Sequence, residues 1–315
     1  MISVAPPNGA SGICPNSVVA ATFSEAMNPA TINTTTFTLT GPGTTPVAGT
    51  VSYVVSSYVA TFTPTNPLAL DTLYTATITT GAQDLAGDPL ANDYVWTFTT
   101  SATACQAPVP LGSACSFGIL GATPVVSNSG PTNVTGDVGI WPAASITGFP
   151  PGTITGSFHA GDAVAMTAQG DLTTAYNDAA AAPGGAVLTA DIGGETLAPG
   201  VYKTTSAQPS LGITGNLTLD GGGDSNAVWI FQIVSSLTTA ATNSQVILTN
   251  GATAQNVFWQ VGSSATLGTT TTFAGSIMAQ ASVTLGTGAT LNGRALARTG
   301  AVTLLSNPVN VPPCQ

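Results

Sequence analysis

A mainly β chain is predicted, a β-sandwich followed by a β-solenoid with one helix alongside. Three observations carry this reading. The 315 residues include 52 threonines beside 36 glycines and 22 prolines; Thr and Val favour strands, and Gly and Pro mark turns. Residues 4 to about 100 fall into short alternating runs. The C-terminal third repeats itself at a shift of 18 residues. The length suits about two domains, each able to bury its own core.

In the first segment the runs are Ser17–Phe23, Thr36–Thr40, Gly49–Val55, Val59–Thr63, Leu73–Thr79 and Tyr94–Thr99. Turn clusters such as Gly41-Pro42-Gly43 and Thr63-Pro64-Thr65-Asn66-Pro67 separate them. Several short strands at regular spacing predict a sandwich over residues 1–100. Residues 101–110, rich in Ala and Pro, read as a short linker.

From Leu111 the texture changes. The triplet Val/Ile-Thr-Gly recurs at Val134–Gly136, Ile146–Gly148, Ile154–Gly156 and Ile213–Gly215. Ala265–Gln280 aligns with Val283–Arg298 at a shift of 18, and Val302–Leu305 follows 19 later. Repeats of this length, with short strands and Gly at corners, mark solenoid coils over residues 111–315. One stretch, about 160–182, breaks the pattern. Val164, Ala168, Leu172, Ala175, Tyr176 and Ala179 recur at helical spacing, with Asp162 near the start and Pro183-Gly184-Gly185 at the end. That predicts one amphipathic helix whose Ala-rich face packs on the solenoid.

Charge is scarce: 3 Lys+Arg against 13 Asp+Glu, a net charge of −10. Nucleic-acid binding is argued against, because phosphate contacts need several basic side chains. Anionic membrane surfaces are disfavoured for the same reason, and no apolar run reaches the length of a membrane span. A polysaccharide-active β-helix enzyme would need clustered basic or paired acidic residues, and Lys203, Arg294 and Arg298 are the whole basic set. Arg294 and Arg298 are expected at alternate outward positions of the last coil, as a solvated or salt-bridged edge. The sole histidine, His159, has no Cys or second His near it in sequence, so no metal site and no catalytic triad is expected. Asp220-Gly221-Gly222-Gly223-Asp224 has calcium-loop chemistry, but Gly-rich turns with Asp are ordinary hairpin material. Asp84, Asp88 and Asp93 are read the same way. No cofactor is expected.

Cys14, Cys105, Cys115 and Cys314 allow three pairings. Cys14–Cys105 and Cys115–Cys314 are favoured because each pair brackets one domain, with free thiols as the alternative. In the chain-entropy model, loops this long give about 4–5 kcal/mol each. Disulfides and low charge suit an oxidising compartment. Met1-Ile2-Ser3-Val4 carries no basic n-region, so the chain is read as mature, with a secretion signal removed and a Met added. A secreted or cell-surface protein is the expectation.

Two resemblances sharpen this reading. Phe23–Asn33, Ala60–Pro64, Tyr74–Leu90 and Trp96–Thr100 resemble a bacterial Ig-like domain, a module that implies a spacer or stalk. Leu111–Gly121, Gly130–Pro142, Ile146–Ile154, Ala175–Ala180, Leu197–Lys203, Leu217–Ile233, Asn256–Gly262 and Leu291–Ala297 are similar to microbial ice-binding proteins. That resemblance runs from Leu111 to about Val309. It implies a right-handed discontinuous β-solenoid with a long flanking α-helix, and a non-enzymatic activity. The implied action is adsorption to an ice crystal surface, with thermal hysteresis and inhibition of recrystallisation. A monomer is expected. The alternative is a cell-surface or adhesin module without ice activity.

The contact residues follow from stacking. Solenoid strands lie about 4.7–4.9 Å apart, comparable to oxygen repeats in ice. Outward Thr offers a methyl and a hydroxyl on a side chain stiff at χ1, so little entropy is lost on binding. Thr266, Thr284 and Thr303 form one column, with Thr238 as the preceding member. A second set follows at Thr239/Thr242, Thr269/Thr272 and Thr287/Thr290; the first and last read T-[AG]-x-T, a pattern that some family members place on or beside the ice-binding face, whereas Thr270 replaces the Ala or Gly in the middle pair. Ser127 and Thr147 extend the expectation to the N-terminal coils. The competing reading is that Thr is simply what solenoid strands expose.

Overall fold

The computed structural model describes residues 3–102, 105–240 and 243–314. Two compact units divide them. The first holds Met1–Cys105 with the loops Gly221–Ala227 and Asn250–Ala252, and the second holds the rest.

In the first unit, period-2 alternation produces a sandwich. One sheet has the order Ser3–Ala5, Val19–Thr22, Val59–Pro64, Gly49–Val54; the other is Ala10–Ile13, Tyr94–Thr100, Leu73–Ile78, Phe37–Thr40. Pairing is antiparallel except between Ala10–Ile13 and Tyr94–Thr100. Inward residues Val19, Phe37, Leu39, Phe62, Ala76, Trp96 and Phe98 close a core in which each is at most 2% exposed. Phe37 packs against both Phe62 and Trp96, with ring centroids 5.9 Å apart in each pair. Cys14 and Cys105 are bonded at 2.06 Å.

The second unit is a β-solenoid with three faces. Face A is a seven-stranded parallel sheet in the order Ile146–Thr147, Val126–Ser129, Val302–Leu305, Val283–Leu285, Ala265–Leu267, Leu237–Thr239, Leu211–Ile213. Face B carries, in spatial order, Thr153–Ile154, Asn133–Thr135, Pro308–Asn310 and the starts of the long strands Thr290–Ala297 and Thr272–Ala279. Face C carries the ends of those same strands. They turn the corner at Gly275, with φ 108°, and at Gly293, where a Cβ would run into the Gly275 carbonyl oxygen.

The stacking order is not the chain order. Val126–Ser129 pairs with Val302–Leu305, and Phe117–Gly121 lies between Asp137–Ile140 and Thr290–Ala297. One coil is therefore assembled from residues 117–121 and 302–310. The Cys115–Cys314 disulfide, with Cα atoms 5.5 Å apart, closes that junction. Arg294 reinforces it from beneath, donating from Nε to the Cys115 carbonyl at 2.8 Å and from NH2 to the Pro312 carbonyl at 2.7 Å. This corrects the expectation of a solvated edge: Arg294 is 1% exposed. It follows the Gly293 bend onto face C, whose outside is covered by the helix and the segment bearing Cys115. Desolvation lowers its pKa to about 10.

Helix α1 (Ala163–Ala181) packs on face C through Ala165, Ala168, Gln169, Leu172, Ala175 and Ala179. The small residues admit a close approach, and Leu172 enters the cluster of Leu120, Ile230, Phe258, Met278 and Leu296. Val164, expected on that face, is 48% exposed; Ala165 takes the buried position at the first turn. Gln169 donates to the Gly121 and Ala297 carbonyls at 2.8 and 3.0 Å. Gln232 reaches the orphan carbonyls at the other end, donating to Ala179 and Ala182 at 2.9 Å each. Asp162 caps the N-terminus by accepting from the Ala165 N–H at 2.9 Å. Arg298 lies 4.4 Å from the Tyr176 ring centroid and donates to Gln280.

Two predictions follow from this architecture. The Ala165 N–H, then the His159 hydrogen bond, hold the Asp162 carboxyl below its ordinary value of 3.8. A group whose folded pKa is lowered contributes fully above the unfolded value and loses its contribution as pH falls through the folded one. The melting temperature should therefore decline from about pH 5 to pH 2, and Asp162→Asn should flatten that slope in circular-dichroism melts. Arg294→Ala should cost about 3 kcal/mol in urea unfolding, by leaving two carbonyl oxygens and a void at the coil junction.

Candidate functional site

Face A is built from strands of two to four residues, in each of which the second residue points out. Parallel register places Gly212, Thr238, Thr266, Thr284, Thr303, Ser127 and Thr147 side by side in a single column. Six of these seven positions carry a hydroxyl. Thr238, Thr266 and Thr147 are exposed, and Thr284, Thr303 and Ser127 are partly so. On either side of the column the chain turns inward to Leu237, Ala265, Val283 and Val302, and to Ile213, Leu267, Leu285 and Leu304, each at most 1% exposed. The column is thus mounted on a packed core, and no face A strand contains a charged residue.

The second Thr set divides. Thr269 and Thr287 sit exposed at the corner between faces A and B. Thr272 and Thr290 pair with each other on face B, next to Gln245 on one side. Face B therefore offers a different surface, in which Thr272 and Thr290 alternate with amides such as Asn292 and Asn310, joined at 3.0 Å. Thr239 is corrected outright. It is 3% exposed, and its hydroxyl pairs with that of Thr271 at 2.8 Å while accepting the Gly268 N–H at 2.7 Å. It holds the corner from inside and does not reach solvent. Thr242 lies outside the described residues.

That interior corner is a polar seam which the sequence reading missed. Asn307 is 0% exposed and donates to the Gly286 and Ala289 carbonyls at 2.8 and 2.9 Å. Thr132 accepts the Asn307 N–H at 2.9 Å and donates to Asn128, which in turn donates to the Gly130 and Gly148 carbonyls. Ser244 donates to the Ile213 carbonyl at 2.8 Å. The opposite edge of face A has its own ladder: Ser236 bonds Ser210 at 2.9 Å, and the Ser264 and Ser282 hydroxyls accept N–H groups of the following coils. Its signal was present as the repeated Ser-x-Thr of Ser236–Thr238, Ser264–Thr266 and Ser282–Thr284. Both edges of the column are thereby fixed by satisfied hydrogen bonds.

The titratable groups among the described residues serve turns, the helix start and local hydrogen bonds. His159 Nδ1 is 2.9 Å from Asp162 Oδ2 at the helix start. Asp171 accepts from the Ser113 hydroxyl and N–H at 2.6 and 2.7 Å, which hold its carboxyl below the ordinary range. Burial raises Asp224. Asp84 accepts the N–H groups of Ala86 and Asp88, as a turn aspartate does. Among the described residues, no group of three or more His, Cys, Asp or Glu comes together as a metal site would require.

Sheet, seam and helix together define a parallel β-solenoid that presents a rigid, uncharged hydroxyl array. The chain belongs to the ice-binding-like family, whose model matches residues 119–310; a bacterial Ig-like domain model matches residues 1–100. An ice-binding protein of Nostoc sp. (strain HG1) is 49% identical over 215 residues, covering 68% of this chain and 77% of that protein. One from Flavobacterium frigoris (strain PS1) is 37% identical, covering 65% and 76%. The crystal structure of an ice-binding protein from an Antarctic biological consortium superposes with a TM-score of 0.64 at 49% identity. It covers 67% of this chain and 94% of its own.

The interior seam generates a prediction. Thr239→Val, which leaves the Gly268 N–H without an acceptor, and Asn307→Ala should each cost about 1–3 kcal/mol in urea unfolding.

Proposed function

We propose that the protein binds ice, adsorbing to the crystal surface through face A and producing thermal hysteresis and inhibition of recrystallisation. The observation that carries this reading is the column Thr147, Ser127, Thr303, Thr284, Thr266, Thr238 in unbroken register. Neighbours spaced about 4.7–4.9 Å, five of them Thr with a methyl and a rotationally restricted hydroxyl and the sixth Ser127, order water without the tightly held shells that charges carry. The 49% identity to the Nostoc ice-binding protein supports the same partner.

On this reading Thr238, Thr266, Thr284 and Thr303 make the central contacts, and Thr269 and Thr287 extend them at the corner. Thr272 and Thr290 lie on the neighbouring face and contribute less. Adsorption needs no chemical step, so on this reading the protein acts without enzymatic activity, and a single copy carries the whole face. Its two disulfides suit an extracytoplasmic location, secreted or displayed at the cell surface. The functional division is residues 1–100 as an Ig-like module, 101–110 as a linker and 111–315 as the ice-binding domain.

Ice-crystal shaping and freezing hysteresis of the full chain test this. Thr284→Tyr, which raises a bulky ring from the middle of the column, should reduce hysteresis by about tenfold or more, as loss of a central contact does. Thr290→Tyr should retain most of it, and both variants should melt like the parent. Hysteresis kept in Thr284→Tyr and lost in Thr290→Tyr would move the contact surface to face B. No shaping by the parent would remove the reading.

A further inference from the structure

We propose that the outer surface of one sheet of the Ig-like sandwich is a second ice-adsorbing site, formed by Thr38, Thr40, Thr75, Thr77, Thr97 and Thr99. The inference rests on the reading that ice is the partner of this protein. It extends that reading to a domain whose family resemblance implies only a spacer.

Three neighbouring strands each carry a Thr-x-Thr pair: Thr38-Leu39-Thr40, Thr75-Ala76-Thr77 and Thr97-Phe98-Thr99. Register sets them in rows. Thr40, Thr75 and Thr97 are direct cross-strand neighbours; Thr38 and Thr77 pair in the next row, which Val95 completes, and Thr99 lies opposite Leu73. All six threonines are partly exposed, and the residues between them, Leu39, Ala76 and Phe98, are at most 1% exposed. Alternation therefore turns every one of the six hydroxyl side chains to the same side.

Spacing is about 4.8 Å across strands and about 6.8 Å between alternate residues along a strand. The result is a grid repeating in two directions, where face A repeats in one. Beneath it lie Phe37, Tyr74, Trp96 and Phe98, with Tyr74 and Phe98 stacked at 5.9 Å, so the grid, like the solenoid column, is mounted on a packed core. Among the described residues, only Thr40 of the six bonds its hydroxyl within the molecule, to the Thr75 carbonyl at 3.3 Å. The other five remain for external water.

The chemistry points to one occupant. The three strands hold no charged residue, which suits a neutral lattice of water and offers nothing to a polyanion or an acidic peptide. Exposed apolar neighbours Leu73 and Val95, 55% and 54% exposed, border the grid with methyl groups, as Thr methyls do within it. The opposite sheet is the internal contrast. Its outward rows, such as Ser52–Thr61–Ala20 and Val54–Val59–Thr22, mix side chains, and none carries Thr on three strands. Strand propensity alone would enrich both sheets alike.

The test uses the full chain and uptake into slowly growing polycrystalline ice. A solenoid-disabled protein carrying Thr266→Tyr with Thr284→Tyr should be taken up less than the parent yet above a non-binding control protein. Adding Thr75→Tyr should bring uptake down to that control, and adding Thr63→Tyr on the opposite sheet should not. Thr97→Tyr serves where Thr75→Tyr disturbs the sandwich, as judged by its melting transition. Uptake already at the control level in the solenoid-disabled protein would overturn the second site and leave face A standing. Residual uptake indifferent to both grid substitutions would also overturn it. A parent excluded from ice would remove both proposals.

Discussion

The coil that unites Phe117–Gly121 with Val302–Asn310 carries an unusual load. Strands elsewhere in the stack pair with neighbours reached through one turn of chain, so their entropy of closure is small. Here the partners are far apart in sequence, and no local preference brings them together. The protein concentrates its strongest fixings at this point: the Cys115–Cys314 bond, the Arg294 guanidinium on two carbonyls, and Gln169 reaching from the helix to Gly121 and Ala297. Thr303 belongs to the same coil and stands between Thr284 and Ser127. Continuity of the surface column depends on the one junction that the chain must make over its longest loop.

Rigidity along the column is secured from its two edges. Amide and hydroxyl side chains fill the interior corner where a regular solenoid would need apolar ones, because the turns there leave carbonyl and N–H groups that strands do not satisfy. Asn307, Thr132, Asn128 and Thr239 are spent on those groups. The threonines of this protein thus do two opposed jobs. Some order the chain from within, and others meet solvent with hydroxyls left over.

That double use sets the limit on what sequence could tell. The sandwich strands were legible because apolar residues alternate through Phe37–Thr40 and Leu73–Ile78, and the C-terminal coils because Ala265–Leu267 and Val283–Leu285 repeat. Thr238 and Thr239, in contrast, are identical neighbours with opposite orientation. Where Leu267 and Leu285 mark the inward place in later coils, Thr239 takes it with a hydroxyl because Gly268 needs an acceptor. The T-x-x-T pairs span a corner, so equal spacing in the chain became two faces in space. Arg294 was misjudged for a further reason: parity predicts which way a side chain points, and only the tertiary structure says what lies there.

The long helix has a quantitative relation to the stack it lies on. Its 19 residues span about 28 Å at 1.5 Å each. Six successive pairings separate Phe158–Ala160 from Trp229–Ile233 on face C, or about 29 Å at the strand spacing. Because both ends of the solenoid chain meet in the interior of the stack, a new coil within that span lengthens the route the helix must bridge. Each added coil calls for about three more helical residues. The helix is in effect a ruler, and the size of the hydroxyl array in proteins built this way should change only when strand number and helix length change together.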